Sequence, residues 1–287
     1  MKRLIYSMYV NIPSEDIEKQ HADCDWTKNN THTTTNKLLD NKDWLTDKQS
    51  NYAKLCGADY RLFDYNGFVE FRDLFFQDRP YISTYDVINF YKIWLLSTLD
   101  EYDEILYLDL DVIPWTKENI FEAFDFDDGI ICRVNHEGKF SLNTNISYNP
   151  TIRAPKAKWW NARALLLDEG FTGENDVYNT GIVGGSRAQI KKLNYFEEFD
   201  KALDIMHEMT LEDCGYPPHI RRMFGYDNET LFSYKMQMNE VKLLEMDNTW
   251  HFIMNKNKNF IISDAKMVHV ISKEFEFAKD RYEKTGL

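Results

Sequence analysis

Two aspartates, Asp109 and Asp111, close the run Ile105-Leu106-Tyr107-Leu108-Asp109-Leu110-Asp111, with one leucine between them. Carboxylates beside so apolar a segment are costly to bury unless a positive group joins them. Residues i and i+2 of a strand project to the same side, so one cation can engage both. Carboxylate oxygens suit hard divalent ions such as Mg²⁺ and Mn²⁺. The plain alternative is a strand end whose carboxylates cap the next turn.

Other residue types downstream could join such a site. His269 closes the apolar run Met267-Val268 and is either a core histidine or an imidazole ligand. Lys92 falls between Ile88 and Leu95, inside an apolar helical stripe. It is either a snorkelling lysine or a point charge aimed at an anion. Asn179 and Gly181 sit in a glycine-rich segment, where turn chemistry alone would explain them. Asp227 precedes a helical pattern and could simply cap it. Tyr9 and Asn11 end the first apolar run. Trp159 and Trp160 are either core or a stacking surface for a sugar.

The elements that must position these residues follow from periodicity. The run ending at Asp109 reads as a strand buried on both faces, as in a parallel sheet. In open α/β sheets, ligands bind at the carboxyl ends of such strands. Leu4 to Ile12 is a first strand, stopped by Pro13. Residues 14–50 are polar and Thr/Asn-rich, and fit a loop with short helices or a flap. Ser50 to Leu55 reads as helix and Asp59 to Phe63 as strand. Thr84 to Asp100 is the clearest helix, capped by Ser83 or Thr84, with Ile88, Tyr91, Leu95 and Leu99 at helical spacing. Pro114 ends the aspartate strand. Strands are expected at 130–134, 178–184, 241–244 and 266–271, and helices at 159–167, 188–209 and 229–236. Residues 135–158 read as an irregular loop.

Composition bounds the answer. A chain of 287 residues, 43% hydrophobic and 15% aromatic, can bury a full core and fits one large α/β domain. Its 34 basic and 47 acidic residues leave a net charge of −13, which argues against a nucleic-acid or anionic-membrane surface. An acidic protein with an anionic substrate needs local positive charge, and a divalent ion supplies it. Cys24, Cys56, Cys132 and Cys214 form no C-x-x-C pair, so free thiols in a reducing, cytoplasmic setting fit best. No run reaches transmembrane length, so no spanning anchor is expected.

Taken in order, the motifs resemble those of GT-A nucleotide-sugar glycosyltransferases, family 8 and its relatives. Asp109-Leu110-Asp111 is similar to their Asp-x-Asp. Tyr178-Asn179-Thr180-Gly181-Ile182-Val183 resembles their Phe-Asn-(Ser/Ala)-Gly-Val stretch, and Asp227-Asn228-Glu229-Thr230-Leu231 their Asp-Gln-Asp-x-Leu. Val268-His269-Val270 resembles their late strand ending in a metal-binding histidine. Asn51-Tyr52-Ala53-Lys54, followed by Asp59-Tyr60, is similar to a second βα unit of related families. The order holds from residue 4 to about 273.

The resemblance implies a GT-A fold, a Rossmann-like α/β/α domain over 1–287 with a mixed, mainly parallel sheet. Its nucleotide half would span about 1–115 and its acceptor half about 116–287. It implies Mn²⁺ or Mg²⁺ on Asp109, Asp111 and His269, and a UDP-sugar donor. The acceptor would be a glycan or other hydroxyl compound. Tyr9 and Asn11 would hold the base. Lys92 and Lys273 would face the diphosphate, with Asp109 and Gly181 beside it. Asn179, Asp227 and Asn228 would position the sugar, with Asn228 near the anomeric carbon. The family pattern implies retention; an inverting branch would need a carboxylate base, for which Glu229 and Asp176 are the choices. The segment after His269 departs from the family's His-x-x-Gly-x-x-Lys-Pro-Trp, since Lys273 lies four residues on rather than six.

Two other readings use the same residues. A haloacid dehalogenase-type phosphatase would use Asp109 as nucleophile. Its pair heads the domain and is followed by Gly-Thr or Gly-Val, whereas here Val112-Ile113-Pro114 follows. A non-catalytic sugar-binding module would keep the fold without turnover.

Overall fold

The computed structural model describes residues 1–13, 15, 25–135, 155–171, 175–221, 224–254 and 260–287. Cys24 and most of the expected 135–158 loop lie outside them.

The strands are β1 (Arg3–Met8), β2 (Asp59–Phe63), β3 (Glu104–Leu108), β4 (Val112–Pro114), β5 (Ile130–Val134), β6 (Tyr178–Ser186), β7 (Leu243–Glu245), β8 (Phe252–Met254) and β9 (Met267–Val270). Six of them form a sheet in the order β2-β1-β3-β6-β5-β7. β1 runs parallel to β2 and β3, and β5 is parallel to β7; β6 alone is antiparallel to its neighbours β3 and β5. This is the mixed, mainly parallel α/β sheet expected from the sequence. A second sheet has the order β4-β9-β8.

Both faces of the large sheet are covered, which explains the unbroken apolar runs. Side chains alternate with a period of two. Leu4, Tyr6, Ile105 and Tyr107 join one core cluster, and Ile5, Leu106 and Leu108 join the other. The first cluster lies under α2 (Tyr65–Phe75) and α3 (Thr84–Thr98), with α5 (Pro155–Asp168), α6 (Arg187–Leu193), α7 (Phe199–Glu208) and α9 (Asn228–Met238) completing it. The second takes Tyr52 and Ala53 from α1 (Asp25–Leu55), Cys56 just past its end, and Ile120 and Phe121 from α4 (Ile120–Ala123). A third cluster joins the small sheet to Leu45 of α1 and to Phe275 and Ala278 of α10 (Phe275–Glu283). The short α8 (Pro218–Arg221) precedes α9.

Two expectations change. Residues 25–55 form one 31-residue helix, not a loop or flap. Its buried stripe of Asn41, Leu45, Gln49, Tyr52 and Ala53, with Cys56 just past its end, has helical spacing but includes two amides. The aspartates do not sit on a strand. β3 ends at Leu108, and the chain turns through Asp109 and Asp111 into β4 of the second sheet. Pro114 belongs to β4, an edge strand, where a missing N–H is tolerated. No described helix is long and apolar enough to cross a membrane.

Candidate active site

The turn joining the two sheets brings the aspartates together. Val112 N–H donates to the Asp109 carbonyl at 2.9 Å, and Asp109 N–H donates to Gly181 O at 2.7 Å. Val270 N–H reaches Asp111 O at 2.9 Å, tying the turn to β9. Val112 pairs with His269 across β4 and β9, so the imidazole arrives beside the carboxylates. His269 Nε2 lies 3.6 Å from Asp109 Oδ2 and 3.4 Å from Asp111 Oδ2. One ligand atom from each of the three residues falls within 4.8 Å of the others. Two ligands at about 2.1 Å from a shared ion lie no more than about 4.2 Å apart. The two histidine–carboxylate distances fall inside that limit, and the three ligand atoms as a set, within 4.8 Å, would need at most a small adjustment to share one ion. Two carboxylates and an imidazole are a donor set for a divalent metal ion.

His269 is oriented from behind. Its Nδ1 is 3.0 Å from Nε2 of His251, which is fully buried just before β8. Burial first, then His269 and Arg133, hold the His251 pKa well below the usual histidine range, so it is neutral. For His269 Nε2 to present a lone pair, Nδ1 must carry the proton and donate it to His251. Gly181 makes room for the ring: a Cβ there would meet His269 Cε1 at 2.3 Å and Nδ1 at 2.7 Å.

Two lysines neutralise the aspartates. Lys92 is 3% exposed and does not snorkel; its Nζ lies 3.4 Å from Asp109 Oδ1 and 5.2 Å from the Tyr107 ring centroid. Tyr107 OH donates to the same Oδ1 at 2.5 Å. Burial of Tyr107, then the neighbouring Asp109, pushes its phenol pKa well up, so the phenol stays a donor. Lys273 Nζ contacts Asp111 Oδ2. Lys273 has a left-handed backbone (φ +57°), uncommon for a residue with a side chain. Burial disfavours the Asp111 charge, but Lys273 and His269 outweigh it and hold this carboxyl well below the usual range. Two ammonium groups thus face two carboxylates.

A cleft of about 270 Å³ opens over this cluster. Tyr9, Tyr107, Asp109, Asp111, His269 and Lys273 line it. Thr34, Thr35 and Leu38 of α1 and Ile88 and Asn89 of α3 add walls that the sequence reading did not anticipate. Lys42 Nζ lies 5.6 Å from the Tyr9 ring centroid. Asn11 is exposed and is not part of the cleft lining.

The remaining expected residues lie on β6 and the start of α9. Asn179 Oδ1 accepts from Gly181 N–H at 3.0 Å. Asp227 caps α9 through Oδ2, which accepts from Thr230 N at 2.9 Å and Oγ1 at 3.2 Å. Asn228 Nδ2 donates to Thr180 Oγ1 at 2.9 Å. Glu229 is buried; Oε1 accepts from Thr180 N–H at 2.8 Å, and Oε2 contacts Lys158 Nζ. Burial raises the Glu229 pKa, but Lys158 and Lys92 more than offset this and lower it overall. Trp159 and Trp160 stack edge to face, with centroids 5.0 Å apart. Gln49, Tyr107, Lys158 and His251 were missed by the sequence reading. Only the second histidine, 18 residues before His269, left a trace there.

No protein-family model and no curated protein matches the chain. Solved structures similar to it along nearly its whole length include glycosyltransferases. One is a glycosyltransferase involved in the glycosylation of the major capsid of PBCV-1, at 13% identity and a TM-score of 0.42, covering 99% of this chain and 100% of that one. The galactosyltransferase LgtC, solved with donor and acceptor sugar analogues, shows 11% identity and a TM-score of 0.46 over 98% and 94% of the two chains. Mouse xyloside xylosyltransferase 1 shows 10% identity and a TM-score of 0.46 over 94% and 98%. At this degree of likeness, function has to be argued from the chain's own residues.

Proposed function

We propose that the protein is a metal-dependent glycosyltransferase of GT-A type. It would move a sugar from a nucleoside diphosphate, UDP by the motif resemblance, to a glycan or other hydroxyl acceptor. The observation that carries this reading is the convergence of Asp109, Asp111 and His269 at the floor of a cleft, with Lys92 and Lys273 beside them.

Asp109, Asp111 and His269 would hold Mn²⁺ or Mg²⁺. When bound, the ion supplies Lewis-acid charge for a leaving diphosphate. The chain's own cations add to this. Lys92 and Lys273 balance the aspartates beforehand, so a divalent ion and a diphosphate enter as a charge-matched pair. As the sugar–phosphate bond breaks, Lys273 in the cleft and Lys92 behind Asp109 would oppose the growing negative charge. Tyr9 and the α1 wall would take the nucleoside end. Asn179 and Asn228 would place the sugar; Asp227 caps with Oδ2 and would offer Oδ1 to a hydroxyl. Retention is the outcome proposed. Of the two carboxylates an inverting branch could use as base, Glu229 has both oxygens engaged, which leaves Asp176 as the choice there.

The test is turnover. Incubation with a panel of UDP-sugars and Mn²⁺ should release UDP, faster with an acceptor present, and Asp111→Ala should abolish release. Nucleotide binding without release from any donor would sink the transferase reading and leave a binding module.

A further inference from the structure

Helix α1 aims one buried polar side chain at the back of the aspartate turn. Gln49 has no exposed surface. Its Nε2 donates to Asp109 O at 3.0 Å and Val112 O at 2.8 Å, with Leu110 O at 3.5 Å. Its Oε1 accepts from Ser7 Oγ at 2.5 Å and Tyr60 OH at 3.0 Å. Ser7 Oγ also lies 2.7 Å from Leu108 O. The partners fix which end of the amide is which: carbonyls need the NH₂ group, and hydroxyls can donate to the oxygen.

One amide therefore joins α1, β1, β2 and the turn between β3 and β4. The carbonyls it serves belong to the residues that carry or flank the two aspartates. Asp109 O keeps the Val112 N–H, but Val112 O loses its 2.8 Å donor; a buried carbonyl left short of a donor is costly, so loss of Nε2 favours a different path for this turn. A changed path would re-aim both carboxylates relative to His269, which is fixed separately on β9. We propose that Gln49 is a positioning residue that sets the convergence of Asp109 and Asp111 at the cation site. The inference rests on the cation reading of that site.

Gln49→Met keeps the side-chain length and removes both ends of the amide. Loss of an outer-shell partner weakens metal binding about 10–100-fold. We expect a loss of at least about tenfold in Mn²⁺ affinity, followed by titration of the electron paramagnetic resonance signal. Amide hydrogen exchange over 109–112 should also accelerate, with β1 and β2 unchanged. Leu45→Ala, one turn earlier on α1, is the control for lost packing, since Leu45 joins the third core cluster and touches no carbonyl of the turn through a polar atom. It should keep wild-type Mn²⁺ affinity. Wild-type affinity in Gln49→Met, or an equal loss in Leu45→Ala, overturns the proposal. Should Gln49→Met not fold, Tyr60→Phe loosens the amide from its oxygen end, and a several-fold loss is expected; no loss overturns the proposal. A wild-type protein that binds no Mn²⁺ overturns the cation reading instead, and exchange over 109–112 then decides whether Gln49 sets the turn.

Discussion

Replacing Gly181 by alanine should separate folding from metal binding. Gly181 lies inside β6, in a backbone that alanine adopts without strain. All of the effect therefore comes from the added methyl group. That group would sit 2.3 Å from His269 Cε1, so the ring must retreat by about 1.2 Å to reach van der Waals contact near 3.5 Å. The strand beneath the ring cannot yield easily, because β9 is the central strand of its sheet, paired with both β4 and β8. The imidazole must rotate, and rotation carries Nδ1 away from His251 and Nε2 away from the aspartates. Overpacking of this kind costs about 1–3 kcal/mol of stability. Metal affinity should fall about 10–100-fold, as for other disturbances of ligand orientation. Isothermal titration with Mn²⁺, beside urea denaturation of the same samples, reads both quantities. A folded Gly181→Ala protein that binds Mn²⁺ as tightly as wild type would refute the packing argument and the role given to His269.

Three further outcomes follow from the same geometry. Glu229→Gln removes the buried partner of Lys158 and should cost about 3–5 kcal/mol at pH 7 by urea denaturation. The folded-state pKa of Glu229 is lowered, so its contribution is present above the unfolded value of about 4.3 and lost as pH falls through the folded value. The gap between wild type and Glu229→Gln should thus narrow in acid; a gap that stays constant down to low pH would contradict the ion pair. Asp227→Ala should lower stability by about 1 kcal/mol through loss of the α9 cap, with most of it restored in Asp227→Asn, as thermal melts would show. Lys92→Met removes a positive charge from Asp109, so Mn²⁺ alone should bind more tightly while UDP binds less tightly, by calorimetry. A fall in both would mean that Lys92 acts by holding Asp109 in place.

The sequence made the aspartate pair, the strand beneath it and helix α3 readable because their apolar residues recur without interruption. β5 was readable from its run Ile130-Ile131-Cys132, whereas β2, Asp59-Tyr60-Arg61-Leu62-Phe63, is broken by two charges and stood out only as a short segment after Gly57. Helix α1 was hidden because its buried stripe contains Asn41 and Gln49, and because threonines with weak helix preference crowd residues 31–35. Gln49 lies inside because it serves the carbonyls of the aspartate turn, which only the folded chain reveals, whereas Asn41 Nδ2 donates to Lys37 O of its own helix. The turn at Asp109 was read as strand because its residues alternate as a strand does. The break comes from the change of sheet, set by pairing of Val112 with His269 far along the chain. Lys92 was correctly placed within the apolar stripe, but its direction depends on Asp109 and Tyr107, which no local pattern encodes. His251 left only its spacing as a trace, since its role comes from a contact with His269 made just before β8 begins.

The most direct test of the cation-centred account is a thermal melt with UDP, in Mn²⁺ and in EDTA, for wild type and Asp111→Ala. Ligand at about 100 times its Kd adds about 2.7 kcal/mol to the folded state. The account predicts a raised midpoint for wild type with UDP and Mn²⁺ together, and none with EDTA or in a folded Asp111→Ala protein. An equal UDP response in EDTA, or a response that survives Asp111→Ala, would contradict it.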